Sequence, residues 1–121
     1  MSLNLLQVEF TKTMAYFQVW CVEHGYDIIE AEAFRTKEQA QIYKEQGKGV
    51  LNSVHCKKLA RDMLLYKDRT ISYKIEDYRA MGEKWKRMHP LARWGGDFKK
   101  RNKKSVGRDP YHFSFEYRGV Q

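Results

Sequence analysis

Two short segments hold the side chains of this sequence best suited to chemistry. Ser53–Asp62, SVHCKKLARD, carries His55 and Asp62 seven positions apart, and RDPYHF carries Asp109 and His112 three apart. Histidine and carboxylate are donors for a hydrolytic zinc ion, which takes three protein ligands and leaves its fourth position to water. His55, Asp62 and His112 make one such set. In an unbroken strand residues 55 and 62 would stand roughly 23 Å apart, at about 3.3 Å per residue. The chain must therefore turn at Cys56-Lys57-Lys58, leaving His55 at a loop end and Asp62 inside the following strand.

Each of these residues also has an ordinary reading. Asp62 sits among Leu59, Ala60, Met63, Leu64 and Leu65, where a buried carboxylate needs a partner. A metal is one partner; Arg61 or a backbone donor is another. His112 opens an aromatic strand and suits a hydrogen-bonded core histidine equally well, and Asp109 before Pro110 suits a turn. Cys56 follows His55 directly, so its side chain should point elsewhere, and it is a poor ligand candidate. Cys21 reads as a small core residue on a helix. Two cysteines are too few for a disulfide framework.

The elements that must position these residues can be read from periodicity. Leu6, Phe10, Met14, Phe17 and Cys21 recur at helical spacing within Leu5–His24, and Gly25 follows as a stop. Tyr26–Phe34 predicts a strand, with Ile29, Ala31 and Ala33 alternating against Glu30 and Glu32. Thr36-Lys37-Glu38-Gln39 has the pattern of a capping box and predicts a helix from Lys37 to about Gln46. GKGVLNS reads as a loop. LARDMLLY and ISYK read as a hairpin around KDRT. Tyr78, Met81, Trp85 and Met88 share a helix face that must end before Pro90. RWGGDF and the basic run after it predict an irregular segment, and HFSFEY predicts the last strand. Helix, strand, helix, strands, helix, strand implies an α+β fold with a small antiparallel sheet.

The chain has 121 residues, 42% of them hydrophobic and 14% aromatic, which suits one domain with its own core and excludes global disorder. No apolar run approaches the ~20 residues of a membrane helix, and the first residues lack a secretory pattern. The expectation is a chain made in the cytoplasm without a signal peptide. The net charge of +8 favours polyanionic partners, and the densest basic cluster is Lys99–Lys104, KKRNKK. A solvated basic loop explains that cluster equally well.

Four segments carry a resemblance. Ser53-x-His55 and Ala60-x-Asp62 look like the SxHxxGxAxD signature of the D-Ala-D-Ala metallopeptidases. That family includes phage L-alanyl-D-glutamate endopeptidases and D-Ala-D-Ala dipeptidases and carboxypeptidases. Phe34-Arg35-Thr36 before a Gln-containing helix, HPLARWGGDF (His89–Phe98) and Asp109-Pro110-Tyr111-His112-Phe113 recur in the family's order. The resemblance runs from about residue 30 to 116 and is greatest to compact phage and prophage endolysins. One position departs: Lys58 stands where the signature has glycine, so a positive-φ turn there would strain it.

The resemblance implies a small antiparallel sheet flanked by helices, in the D-Ala-D-Ala peptidase or hedgehog-like metallopeptidase fold. It implies one Zn2+ per chain on His55, Asp62 and His112, with Asp109 as general base. Arg35 would face the substrate and steady a carboxylate or oxyanion; a surface salt bridge with Glu32 or Glu38 is its ordinary reading. Ser53 would hydrogen-bond substrate or support the ligands. Trp94-Gly95-Gly96 should let backbone approach the site, with Trp94 as a packing wall.

The activity so implied is hydrolysis of a peptidoglycan stem-peptide bond, with L-Ala–D-Glu the bond expected, for lysis of a host cell. The expected enzyme is a monomer that reaches the wall after release across the inner membrane. Its positive charge would suit an anionic wall or outer-membrane surface. A D-Ala-D-Ala carboxypeptidase or dipeptidase is the rival within the chemistry. A basic nucleic-acid-binding module is the rival outside it, although no nucleic acid is expected; that module would need no metal and would bind with steep salt dependence.

Overall fold

The computed structural model describes residues 2–31, 38, 54–99 and 109–121. The expected helix from Lys37, the GKGVLNS loop, the far end of the first strand and Lys100–Lys104 lie outside the described residues, apart from Glu38.

Helix α1 spans Leu3–Glu23 and starts where Ser2 Oγ accepts the Leu5 amide at 3.2 Å. Its buried residues are Leu6, Phe10, Met14, Phe17 and Cys21, the expected stripe. Gly25, at φ 80°, turns the chain out of the helix. The outer face of α1 departs from a simple amphipathic pattern, since Leu5, Val8, Tyr16, Val19 and Val22 are exposed.

The sheet is antiparallel throughout, with strands β1 (Asp27–Glu30), β2 (Ala60–Lys67), β5 (His112–Phe115) and β4 (Ala92–Trp94) side by side. Strand β3 (Thr70–Ser72) pairs with the far end of β2. The β2–β3 link is the expected hairpin: Asp68 and Arg69 have φ 53° and 66°, the left-handed pair of a two-residue type I′ turn. Helix α2 (Ile75–Met88) stops before Pro90 as expected.

A cluster of aromatic side chains holds helices to sheet. Phe10 and Phe17 of α1 meet Trp85 of α2 at 5.7 and 5.2 Å, and meet Phe115 and Phe113 of β5 at 5.1 Å each. Trp85 Nε1 donates to the carbonyls of Arg93 and Ser114, tying α2 to β4 and β5. Tyr78 accepts the Leu65 amide at 2.7 Å and donates to Ser72 O at 2.8 Å, which fixes α2 on β2 and β3. No helix among the described residues is long and apolar enough to cross a membrane.

Three expectations change. The inward residue of β1 is Ile28, which packs on the core, while Ile29 is exposed. Two adjacent isoleucines carry no phase of their own, and a one-residue error moves the whole strand to its other face. Strand β5 is buried at all four positions rather than on one face. RWGGDF is not wholly irregular: Trp94 ends strand β4, and Gly95–Asp97 form a 3₁₀ turn. A three-residue strand is too short to display alternation.

Candidate metal centre

The β2–β5 register sets Asp62 directly opposite His112. Backbone bonds hold Asp62 on both flanks. Its carbonyl accepts the Ala31 amide at 2.9 Å, and the next amide, Met63, donates to Tyr111 O at 2.9 Å. His55 arrives from the other direction, on a 3₁₀ turn over Val54–Lys57. That turn closes through Lys58 N to His55 O (3.2 Å) and Leu59 N to Val54 O (2.9 Å), with Val54 and Leu59 buried in the core. Lys58 takes φ 58°, the strained conformation its position predicts. Gln7 of α1 reaches across to Lys57 O at 2.8 Å and anchors the turn from outside.

These placements bring three donors together. Asp62 Oδ1 lies 3.4 Å from His55 Nε2 and 3.2 Å from His112 Nδ1, and all three ligand atoms lie within 4.8 Å of one another. Bonds of about 2.0–2.1 Å at a tetrahedral angle separate two ligand atoms by about 3.3–3.4 Å. The two distances to Asp62 are those of a tetrahedral edge. His55 and His112 are buried, while Asp62 keeps 14% of its side chain exposed.

The protons support the same reading. His112 Nε2 lies 2.6 Å from the main-chain oxygen of Gln121, which can only accept, so the imidazole proton belongs on Nε2. In the neutral ring Nδ1 then presents a lone pair to the Asp62 carboxylate. Two acceptors at this distance require a proton or a metal ion between them. With a proton rather than an ion between the groups, burial pushes the Asp62 carboxyl up, but hydrogen bonds from His112 and His55 and their charges outweigh it and hold it at about 2. Asp62 is therefore anionic throughout the neutral range and ready to serve as a ligand. The trio could hold one metal ion. Cys56 is not in the cluster.

Asp109 begins the turn that delivers His112, whose amide donates to Asp109 O at 3.0 Å. The Asp109 amide in turn donates to Gly95 O at 3.2 Å. This contact requires glycine: a Cβ on Gly95 would lie 1.9 Å from Asp109 O and 2.8 Å from His112 Cβ. Trp94 Nε1 reaches past it to Pro110 O at 2.7 Å. The Trp94 indole lies between Gly82 and Gly96, where added Cβ atoms would sit 2.1 and 2.2 Å from the ring. Trp94 is thus the expected packing wall, and Gly95 is where backbone approaches the site. Gly82 was not singled out from sequence; a glycine inside the apolar face of α2 was the available signal.

Beside the site, burial pushes the Tyr111 phenol up to about 12, with the nearby Asp109 and Asp62 charges adding to the effect, so it stays protonated. Phe98 packs near His112, ring centres 5.4 Å apart. His89 lies elsewhere: it stacks on Phe115, bonds Glu9 at 2.8 Å and shapes the loop after α2. Glu116 pairs with Arg93. Arg35 and Ser53 lie outside the described residues.

No protein-family model and no curated protein sequence matches this chain. A solved structure does. The crystal structure of the L-Ala D-Glu endopeptidase ChiX of Serratia marcescens superposes with a TM-score of 0.62 at 19% identity, over 77% of this chain and 69% of that one. The two chains share a fold. At that identity the likeness concerns architecture, and the α+β arrangement expected from the sequence is the one found.

Proposed function

We propose that the protein is a zinc-dependent peptidase that hydrolyses the L-Ala–D-Glu bond of peptidoglycan stem peptides as a lysis enzyme acting at the cell wall. The observation that carries this reading is the His55–Asp62–His112 trio, with each histidine a tetrahedral edge away from Asp62, in a fold shared with an endopeptidase. A divalent ion held there would supply Lewis acidity, acidifying water and polarising the scissile carbonyl.

The chain's own residues supply the rest. Asp109, fixed by Gly95 and by the His112 amide, is the general base that takes a proton from the attacking water and passes it to the leaving amine. Arg35 steadies the substrate carboxylate or the developing oxyanion, as the resemblance implies, and Ser53 supports substrate or ligands. A net charge of +8 draws the protein to the anionic wall.

Digestion of purified muropeptides followed by mass spectrometry tests the reading. Release of L-Ala-terminated glycan and a D-Glu-initiated peptide, dependent on zinc, is the expected outcome. Release of D-Ala would transfer the reading to a carboxypeptidase or dipeptidase. No cleavage by zinc-loaded protein, together with tight salt-sensitive binding of nucleic acid, would replace it with a binding module.

A further inference from the structure

We propose that the main-chain oxygen of Gln121, presented by a tight turn and shared with Ser114, selects the state of His112 that can bind a metal. This inference rests on His55, Asp62 and His112 holding an ion. Past β5 the chain doubles back, and Tyr117 and Val120 exchange both main-chain hydrogen bonds, at 2.8 and 3.0 Å. Arg118 and Gly119 between them have φ 49° and 80°, again the left-handed pair of a type I′ turn. The reversal carries Gln121 back to the start of the strand.

His112 and Ser114 are two residues apart on β5 and so share a face. One oxygen accepts from both, at 2.6 Å from His112 Nε2 and 2.7 Å from Ser114 Oγ. His112 and Ser114 are both buried and Gln121 is exposed, so the two bonds are partly shielded from water.

The neutral His112 ring has two forms in the trio. With its proton on Nδ1, His112 donates to Asp62 and the pair is satisfied without an ion. With its proton on Nε2, the lone pair and the carboxylate face each other, and either a second proton or a metal ion must lie between them. The Gln121 oxygen stabilises the second state by accepting the Nε2 proton. Such a partner on the far ring nitrogen orients a metal-binding imidazole, and its loss typically weakens metal affinity 10–100-fold.

Four proteins test this: the parent, a chain ending at Val120, Ser114→Ala, and Gln121→Ala, which keeps the main-chain oxygen. The measurements are zinc dissociation constants by chelator competition, thermal midpoints of the metal-free proteins, and long-range proton–nitrogen NMR of the histidine rings. The expected result is a proton on Nε2 of His112 in the parent and a 10–100-fold weaker zinc constant for the shortened chain. Ser114→Ala should weaken zinc binding less, and Gln121→Ala should leave it unchanged. A shortened chain with parental zinc affinity, or a parent with its His112 proton on Nδ1, overturns the proposal while leaving the metal site intact. Should the shortened chain not fold, Ser114→Ala and the parental NMR spectrum still decide. A parent with no zinc affinity removes the metal reading and this one together.

Discussion

Gly95→Ala is a one-carbon test of how the site is assembled. The added Cβ would lie 1.9 Å from Asp109 O, where ordinary contact begins at 3.4 Å. Asp109 must therefore withdraw by about 1.5 Å, because backbone on both sides leaves no flexible side-chain end to yield. The same Cβ presses on His112 Cβ at 2.8 Å, so base and ligand are displaced together. Overpacking of this kind costs about 1–3 kcal/mol. A displacement of about 1 Å at a reacting group can cost about 10²-fold in rate. We expect a folded protein whose melting point falls by several degrees and whose muropeptide turnover falls by about 10²-fold or more. Gly25→Ala is the control: Gly25 also has a positive φ, 80°, but a Cβ there meets nothing within 4 Å. It should cost about 1 kcal/mol and leave turnover per folded molecule intact. Parental turnover and zinc content in Gly95→Ala would refute the idea that this glycine sets the position of Asp109.

Four further outcomes are expected. Asp109→Asn should keep zinc and melting point while turnover falls by ~10²–10⁴, the usual worth of a general base; lost stability with normal turnover would make it a turn residue. Lys58→Gly should raise stability by about 1 kcal/mol by relieving φ 58°, with zinc affinity unchanged, as read by thermal melts and chelator competition. Burial pushes the Cys21 thiol up to about 12, so at pH 8 it should resist a disulfide reagent until the protein unfolds, whereas half-exposed Cys56 reacts first. Neutralising Lys99–Lys104 should slow lysis of intact sacculi more than cleavage of soluble muropeptides, and the difference should shrink with added salt; equal losses would indicate damage near the site instead.

Long, strongly periodic elements were legible in the sequence. All five stripe residues of α1 are buried, and α2 ends where Pro90 forbids continuation. The need for a turn between His55 and Asp62 followed from chain geometry, and a residue in left-handed conformation does close it. Strand register was not legible. Nothing near Asp62 in sequence announces that it faces His112, because pairing is decided by the packing of whole strands. Short elements escaped for a similar reason. β4 has only three residues, and the role of Gly82 depends on a tryptophan twelve positions away that folds back onto it. The Gln121 contact is invisible from sequence altogether, since it involves a main-chain atom that every residue possesses.

The opposition of Asp62 and His112 across the ladder has a consequence for folding. Slipping β5 by one residue would turn His112 to the other face and bring Phe113 or Tyr111 opposite Asp62. Such a slip still satisfies the ladder's backbone hydrogen bonds, so apolar packing and side-chain bonds such as those of Trp85 and Ser114 must discriminate against it. An ion that binds only the native trio adds a second discriminator, stabilising the correct register by about 2.7 kcal/mol at a hundredfold excess over its dissociation constant. Zinc present during refolding would then act as a proofreader of strand alignment, and chains refolded with chelator should show more misaligned, aggregation-prone material than chains refolded with metal.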